Sequence, residues 1–351
     1  MRALELFSGA GGLSIGLRRA GFKILTSVEF NADAIATYRG YHPETESILS
    51  DVRLIDFSRF RNQIDIVVGG PPCQPFSLGG LRKGNADSRD MIPEFVRCLK
   101  EVDPPFFLME NVPGLTLKSA RQYFSKTLLS FMELGYVLNY AVLSAADYGV
   151  PQKRRRLFVM GAKNTNNPML FPKASHGKGR LPYITTSSVI NFEVPTGEPP
   201  NCPVKYARYP DLRPNPYAGH IYNGGGRPLD PNGPAHTILA SSGGYKTHWV
   251  DVENTAPAYH AHLMEGGDPY EGFVPGARRL TVEECAILQT FPMDLVFIGR
   301  RSSQYKQVGD AVPPVLAEAL GKAILFQVGG GNYCDLDIGI LSTSEIQGEL
   351  L

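Results

Sequence analysis

The sequence predicts an α/β fold: a doubly wound, mostly parallel sheet of the Rossmann-like class, with a smaller irregular domain later in the chain. Three observations predict it. Short apolar runs alternate with helically spaced segments over roughly 160 residues. The first run leads into a glycine turn, Ser8-Gly9-Ala10-Gly11-Gly12, of the kind that joins a strand to a helix. From Asn164 to about Ala277 the texture changes to Pro, Gly, Asn and Tyr with few helical stripes.

The elements follow in order. Ala3 to Phe7 reads as a strand, Leu13 to Ala20 as a helix ended by Gly21, and Phe22 to Val28 as a second strand closed by Glu29. Glu29 follows Gly9 at about the 20-residue separation at which such folds place a carboxylate on ribose hydroxyls. Asn31 to Tyr38 is a helix, and Asp51 follows a short strand-like run. Ile64 to Gly69 is apolar enough for a buried parallel strand, and Gly69-Gly70-Pro71-Pro72 stops it. Met91 to Val102 is helical, with Phe95, Cys98, Leu99 and Val102 on one face. Pro105 to Val112 is a strand ending in Glu110, Tyr123 to Leu134 is a helix, and Tyr136 to Ser144 and Arg156 to Gly161 are strands. Arg279 to Gln289 returns to helix, and Val312 to Phe326 is a helix opened by Pro313-Pro314.

Length and composition set bounds. The 351 residues are 43% hydrophobic and 20% charged, ordinary for a globular chain and long enough for two domains. A net charge of +1 announces no nucleic-acid partner, so any basic surface must be local. Five cysteines, an odd number with no CxxC pair, fit a reducing compartment and argue against a metal cluster. No signal peptide precedes the first strand, and no apolar stretch is expected to approach membrane-spanning length. The expected location is the cytoplasm, or the nucleus in a eukaryote.

Chemistry points to strand ends. Cys73 follows two prolines, which fix φ and hold the thiol on a stiff turn at a strand's carboxyl end. That edge is where open α/β sheets bind ligands. A buried structural cysteine fits the turn equally well. Glu29, Asp51 and Glu110 also close strands. The run Gln152-Lys153-Arg154-Arg155-Arg156 would ordinarily be a solvated face, but it leads into a strand, where alternate arginines are directed to opposite faces.

Together these residues resemble the S-adenosylmethionine-dependent cytosine-5 DNA methyltransferases. The resemblance is carried by Phe7-Ser8-Gly9-Ala10-Gly11-Gly12-Leu13, Gly70-Pro71-Pro72-Cys73-Gln74-Pro75-Phe76-Ser77 and Glu110-Asn111-Val112. It continues in Gln152 to Arg156, in Arg279-Leu280-Thr281-Val282-Glu283-Glu284-Cys285-Ala286, and in Gln307-Val308-Gly309-Asp310-Ala311-Val312-Pro313. The motifs keep the family's order from residue 3 to about 326. The resemblance implies a catalytic and cofactor-binding domain over 1–165 and a target-recognition domain over 166–278. A return to the catalytic domain over 279–328 and a loose extension over 329–351 complete the division.

The resemblance also implies roles. Cys73 is the nucleophile that adds to cytosine C6 and so activates C5. Glu110 serves ring N3, with burial at a strand end favouring its protonated form. Arg156 meets the charge developing toward O2, and Arg154 positions Cys73 or the base. The cofactor set is Phe7, Gly9, Gly11, Leu13, Glu29, Asp51, Val52, Pro72 and Asp310, with no metal. Asp310 departs from the family's usual asparagine. The base must be flipped out of the duplex, and Gln74 to Asp90, with Gly79, Gly80, Gly84, Arg82, Lys83 and Arg89, resembles the mobile loop that closes over it. Recognition contacts are expected between Tyr206 and Trp249, although any single aromatic there is more readily a core residue.

The partner implied is double-stranded DNA, without a membrane. The early start of the motifs resembles stand-alone modification enzymes, monomers that pair in function with a restriction endonuclease. Two alternatives stay open: a tRNA cytosine-5 methyltransferase, and an inert DNA-binding homologue, against which Cys73, Glu110, Arg154 and Arg156 all argue by being present.

Overall fold

A computed structural model describes residues 1–73 and 90–331. Of the segment expected to move, Gln74 to Asp90, residues 74–89 lie outside the described residues, as does the tail from 332 on. The chain divides into two compact units. The first comprises Met1–Ser144, Arg155–Ser175 and the chain from Val312 on; the second comprises Ala145–Arg154 and His176–Ala311.

In the first unit the chain forms β1 (Arg2–Leu6), α1 (Gly12–Ala20), β2 (Lys23–Glu29), α2 (Ala32–Tyr41) and β3 (Glu46–Leu49). It continues through β4 (Ile66–Gly69), α3 (Ile92–Val102), β5 (Phe106–Asn111), α4 (Arg121–Glu133), β6 (Val137–Ser144) and β7 (Arg155–Ala162). These strands make one seven-stranded sheet in the order β3-β2-β1-β4-β5-β7-β6. Pairing is parallel from β3 to β5, while β7 runs antiparallel to both β5 and β6. The expected doubly wound sheet is present, with an antiparallel pair at one side.

Sequence dictates this locally. β4 is apolar throughout and wholly buried, as a strand covered on both faces must be. α3 takes Pro93 into its first turn, where no backbone donor is needed, and buries Phe95, Cys98, Leu99 and Val102. Phe95 and Phe107 meet Phe131 at centroid distances of 6.4 and 4.6 Å, so α3, β5 and α4 share one aromatic core. The Asn31 side chain accepts from Ala34 N and caps α2 just past Glu29.

The strand order reverses between β1 and β4, which defines the switch point. The carboxyl ends of β1 to β5 share an edge, because Leu6 pairs with Val28 and Gly69, Glu29 with Leu49, and Gly69 with Met109. β7 is antiparallel, so its beginning lies at that edge, with Asn111 opposite Leu157.

The second unit carries β8 (Tyr206–Asp211), β9 (His220–Tyr222), β10 (Trp249–Asp251), α5 (Thr255–Met264), β11 (Ala277–Arg279), α6 (Val282–Leu288) and α7 (Arg301–Asp310). Its strands form two two-stranded sheets, β8-β9 and β10-β11. Trp249, Tyr222 and Tyr259 are buried in its core, whereas Tyr209 is 81% exposed, so the aromatics divide between packing and surface. α6 opens with a capping box between Thr281 and Glu284.

The first unit closes with α8 (Pro314–Val328). It packs so tightly on α1 that a Cβ at Gly16 would lie 2.4 Å from Ala317 Cβ. One expectation is corrected here. Arg301–Val328 has the length and hydropathy to cross a membrane, but the stretch comprises two helices, and 56% of its most apolar window is buried within the protein. A core helix meets the same criteria of length and composition.

Candidate active site

The turn after β1 is the first part of the site. Phe7 has φ 57° and Gly9 φ 55°, so two residues in three occupy the left-handed region. Gly11 follows with φ 87° at the N-cap of α1; a Cβ there would lie 2.9 Å from the Tyr38 ring. Gly9 has open space where a Cβ would stand. Leu13 is buried beneath the turn.

Glu29 fixes this turn from the next strand. Its Oε2 accepts from Gly9 N at 2.8 Å, and its Oε1 accepts from Phe30 N at 2.9 Å and Asn31 N at 2.8 Å. Asp51 lies at the end of the β3 connection. It accepts from Arg53 N and Nε, both at 3.0 Å, and these bonds hold its carboxyl below the ordinary range. Val52 is buried beside it.

The second part is the turn after β4. Pro71 O accepts from Asn111 Nδ2 at 2.9 Å, and Pro72 O accepts from Met91 N at 2.9 Å. Pro72 is exposed while Cys73 is 6% exposed, so the two residues differ sharply in access to solvent. Burial, and then the nearby Asp90 carboxylate, push the Cys73 thiol up to about 12. It rests as a thiol at neutral pH.

Glu110 closes β5 and is 9% exposed. Its Oε1 lies 3.0 Å from Arg156 Nε, which projects from the neighbouring β7. A Cβ at Gly70 would lie 2.9 Å from Glu110 Oε2, so the turn that ends in Cys73 and this carboxyl are in close contact. The first unit therefore gathers Cys73, Glu110 and Arg156 at the same edge as Glu29 and the glycine turn.

Arg154 and Asp310 belong to the second unit. Arg154 is fully buried and donates to Ile238 O at 3.0 Å and Asp310 O at 3.3 Å. Lys153 and Arg155 are exposed and Arg154 and Arg156 turned inward, the alternation expected of this run. The Asp310 carboxylate pairs with Lys306 on α7.

The family model of C-5 cytosine-specific DNA methylases matches residues 1–325. The chain belongs to this family. As a C-5 cytosine-specific DNA methylase, it is 35% identical over 334 residues to the type II methyltransferase M1.HphI of Haemophilus parahaemolyticus, across 92% of this chain and 86% of that one. It is 32% identical over 335 residues to the type II methyltransferase M.NgoPII of Neisseria gonorrhoeae, across 92% of this chain and 95% of that one. Two solved structures share its fold. A Dnmt2 variant of Spodoptera frugiperda has a TM-score of 0.67 at 18% identity, over 92% of this chain and 99% of that one. The Dnmt2 methyltransferase of S. pombe has a TM-score of 0.66 at 18% identity, over 93% and 99%. The chain is thus a DNA (cytosine-5-)-methyltransferase, and family membership implies S-adenosylmethionine as donor and DNA as substrate.

Some residues of the site carry no role in the sequence reading. Asn111 steadies the turn before Cys73 by donating to Pro71 O. Glu5, in the middle of β1, is 1% exposed; Ser14 Oγ donates to its carboxyl and lies 2.7 Å from Tyr38 OH. Burial chiefly pushes the Glu5 carboxyl up to about 8. Its signal was available: one acidic residue inside the apolar run Ala3-Leu4-Glu5-Leu6.

Proposed function

We propose that this methylase flips a target cytosine out of duplex DNA and attacks its C6 with Cys73, and that it serves as the modification enzyme of a restriction-modification system. One observation carries the site assignment: the Glu110–Arg156 pair abuts the turn that ends in Cys73.

The cofactor cradle fits S-adenosylmethionine. Gly9 leaves open space above a turn that Glu29 anchors, and Pro72 is exposed at the same edge. Phe7, Gly9, Gly11, Leu13, Glu29, Asp51, Val52 and Pro72 of the first unit would hold it. When bound, the cofactor supplies an electrophilic methyl group on a sulfonium.

The chain's own residues do the rest. The Cys73 thiol loses its proton and its sulfur bonds to C6, sending the electron pair of the C5–C6 double bond through the ring toward N3 and O2. Glu110 provides the proton at N3, and the Arg156 guanidinium meets the charge at O2. Once C5 carries the methyl group, solvent takes the C5 proton, the N3 proton returns to Glu110, the C5–C6 double bond reforms and Cys73 leaves as a thiolate. Arg154 acts through structure, tying the backbone around Ile238 and Asp310.

The second unit is the DNA-reading part, with its recognition residues between Tyr206 and Trp249. A monomer in the cytoplasm, acting beside a cognate endonuclease, completes the reading; the type II relatives support the pairing.

A duplex carrying 5-fluorocytosine at the target tests the mechanism, because fluorine cannot leave as the C5 proton does. Native enzyme with cofactor should form a stable covalent complex, and Cys73→Ser should form none while still binding cofactor. Full turnover by Cys73→Ser overturns the nucleophile assignment. Label transfer to tRNA alone, with none to duplex DNA, overturns the substrate. Bisulfite sequencing of DNA from expressing cells then identifies the methylated cytosine.

A further inference from the structure

Cys73 and Asp90 face each other in an antiparallel bridge, with the backbone of Met91 bonded to Pro72 O. Both carboxylate oxygens of Asp90 are engaged. Oδ1 accepts from Ile92 N at 3.2 Å in the first turn of α3, and Oδ2 accepts from Tyr123 OH on α4. The charge is therefore held in one place, opposite a thiol that is nearly inaccessible to solvent. Among the described residues, the other charged groups at this edge are engaged elsewhere: Glu110 pairs with Arg156, Glu29 accepts from the backbone of Gly9, Phe30 and Asn31, and Asp51 pairs with Arg53.

We propose that Asp90 is a positioning residue for the nucleophile: a carboxylate fixed by Tyr123 and the start of α3, whose charge disfavours the Cys73 thiolate in the free enzyme. The proposal rests on Cys73 being the nucleophile. Its chemical sense is protective. A thiolate is the form that alkylating and oxidising reagents attack, and a standing negative charge beside the sulfur keeps that form scarce. The Cys73 thiol is indeed raised by Asp90 as well as by burial, and the Tyr123 hydroxyl is raised by burial and by its bond to Asp90.

The role differs from simple bracing in a measurable way. Asp90→Asn keeps an acceptor for Ile92 N and a partner for Tyr123 but removes the charge. Tyr123→Phe keeps the charge and removes a hydrogen bond that spreads it. If Asp90 acts by charge, the two variants move Cys73 in opposite directions. If it only braces the turn, both loosen it and both expose the thiol.

The experiment is alkylation of the full-length native protein with iodoacetamide from pH 6.5 to about 9.5, with each cysteine followed by mass spectrometry. Asp90→Asn should alkylate faster at Cys73, and the rate should rise at lower pH. The gain is about threefold for each unit by which the thiol is eased, because lower basicity takes back part of the tenfold gain in thiolate. Tyr123→Phe should alkylate no faster than wild type at Cys73. Cys202, half-buried and away from this turn in sequence, serves as the internal control and should not change. Coincident Cys73 profiles for Asp90→Asn and wild type overturn the proposal, as does equal acceleration by both variants. Should Asp90→Asn fold poorly, Asp90→Glu restores the charge, and its failure to restore slow alkylation counts equally against the idea. The 5-fluorocytosine trap separately tests whether Cys73 is the nucleophile, so the two failures are distinguishable.

Discussion

Each of the two units is stabilised internally by its own means. In the first, apolar strands and helices bury one another, and polar side chains collect at one edge of the sheet. In the second, the sheets are two-stranded pairs, and polar side chains reach across the interior to backbone carbonyls. Gln152 donates to Leu288 O at 3.2 Å and accepts from Ile238 N at 2.9 Å; Arg279 donates to Thr247 O at 2.7 Å and Cys202 O at 3.2 Å. A sheet supplies its own backbone partners, which frees side chains at its edge for chemistry. An irregular chain must satisfy its backbone with side chains, so its buried polar residues are structural. The same residue type therefore means different things in the two units: Arg156 at the sheet edge pairs with the Glu110 carboxyl, while Arg279 supports loops.

The largest test of this contrast is Glu110→Gln. The substitution keeps the shape but cannot deliver a proton to N3. Turnover should fall by roughly 10² to 10⁴-fold, the usual range for a lost general acid. Cofactor affinity should stay near wild type, and the unfolding midpoint should fall only modestly, because the amide still accepts from Arg156 Nε while its charge is no longer balanced. A large loss of stability with little loss of turnover would make Glu110 structural and erase the contrast.

Glu5 is the exception inside the first unit, and pH exposes it. Its folded value, about 8, lies above the ordinary 4.5, so the folded state keeps a proton that the unfolded chain releases. Stability from this group is therefore complete below about 4.5 and is lost as pH rises through about 8. Glu5→Gln keeps an acceptor for Ser14 and has no proton to lose. Urea unfolding at successive pH values should show the variant gaining on wild type, by an amount of the order of 4 kcal/mol between pH 4.5 and 8. Parallel curves would mean that Glu5 is solvated in a way its burial denies.

The contrast also explains what was legible in the sequence. The parallel sheet could be read because β1, β2, β4 and β5 carry apolar runs that lead within a few residues into glycine, proline or a carboxylate. The edge of that sheet was legible for the same reason, which is how Cys73, Glu29 and Glu110 could be singled out. The second unit resisted because its order lies in contacts distant in sequence. Gln152 meets Leu288 across 136 positions, and Arg279 meets Cys202 across 77, and no local period encodes such pairs. α7 was missed outright: Arg301–Asp310 is mostly polar and lacks an apolar stripe, although Tyr305 and Val308 are buried. Asp90 was missed as well, because its meaning depends on a tyrosine in α4 that only the fold brings to it.

The smallest predicted effect lies in the second unit and is purely structural. Arg279→Met retains most of the side chain's volume but leaves the carbonyls of Cys202 and Thr247 without their donor. Leaving a buried polar group unsatisfied costs roughly 1 to 3 kcal/mol, and water can reach part of this site once the guanidinium is gone. A loss of about 2 to 3 kcal/mol in chemical unfolding is expected. The kinetic signature matters more than the magnitude. If the second unit is a scaffold for reading DNA, the variant at low temperature should raise KM for duplex DNA while kcat stays near wild type. The 5-fluorocytosine adduct should still form at saturating DNA. A fall in kcat at unchanged KM would place Arg279 with the chemistry, and the division of labour between the two units would have to be redrawn.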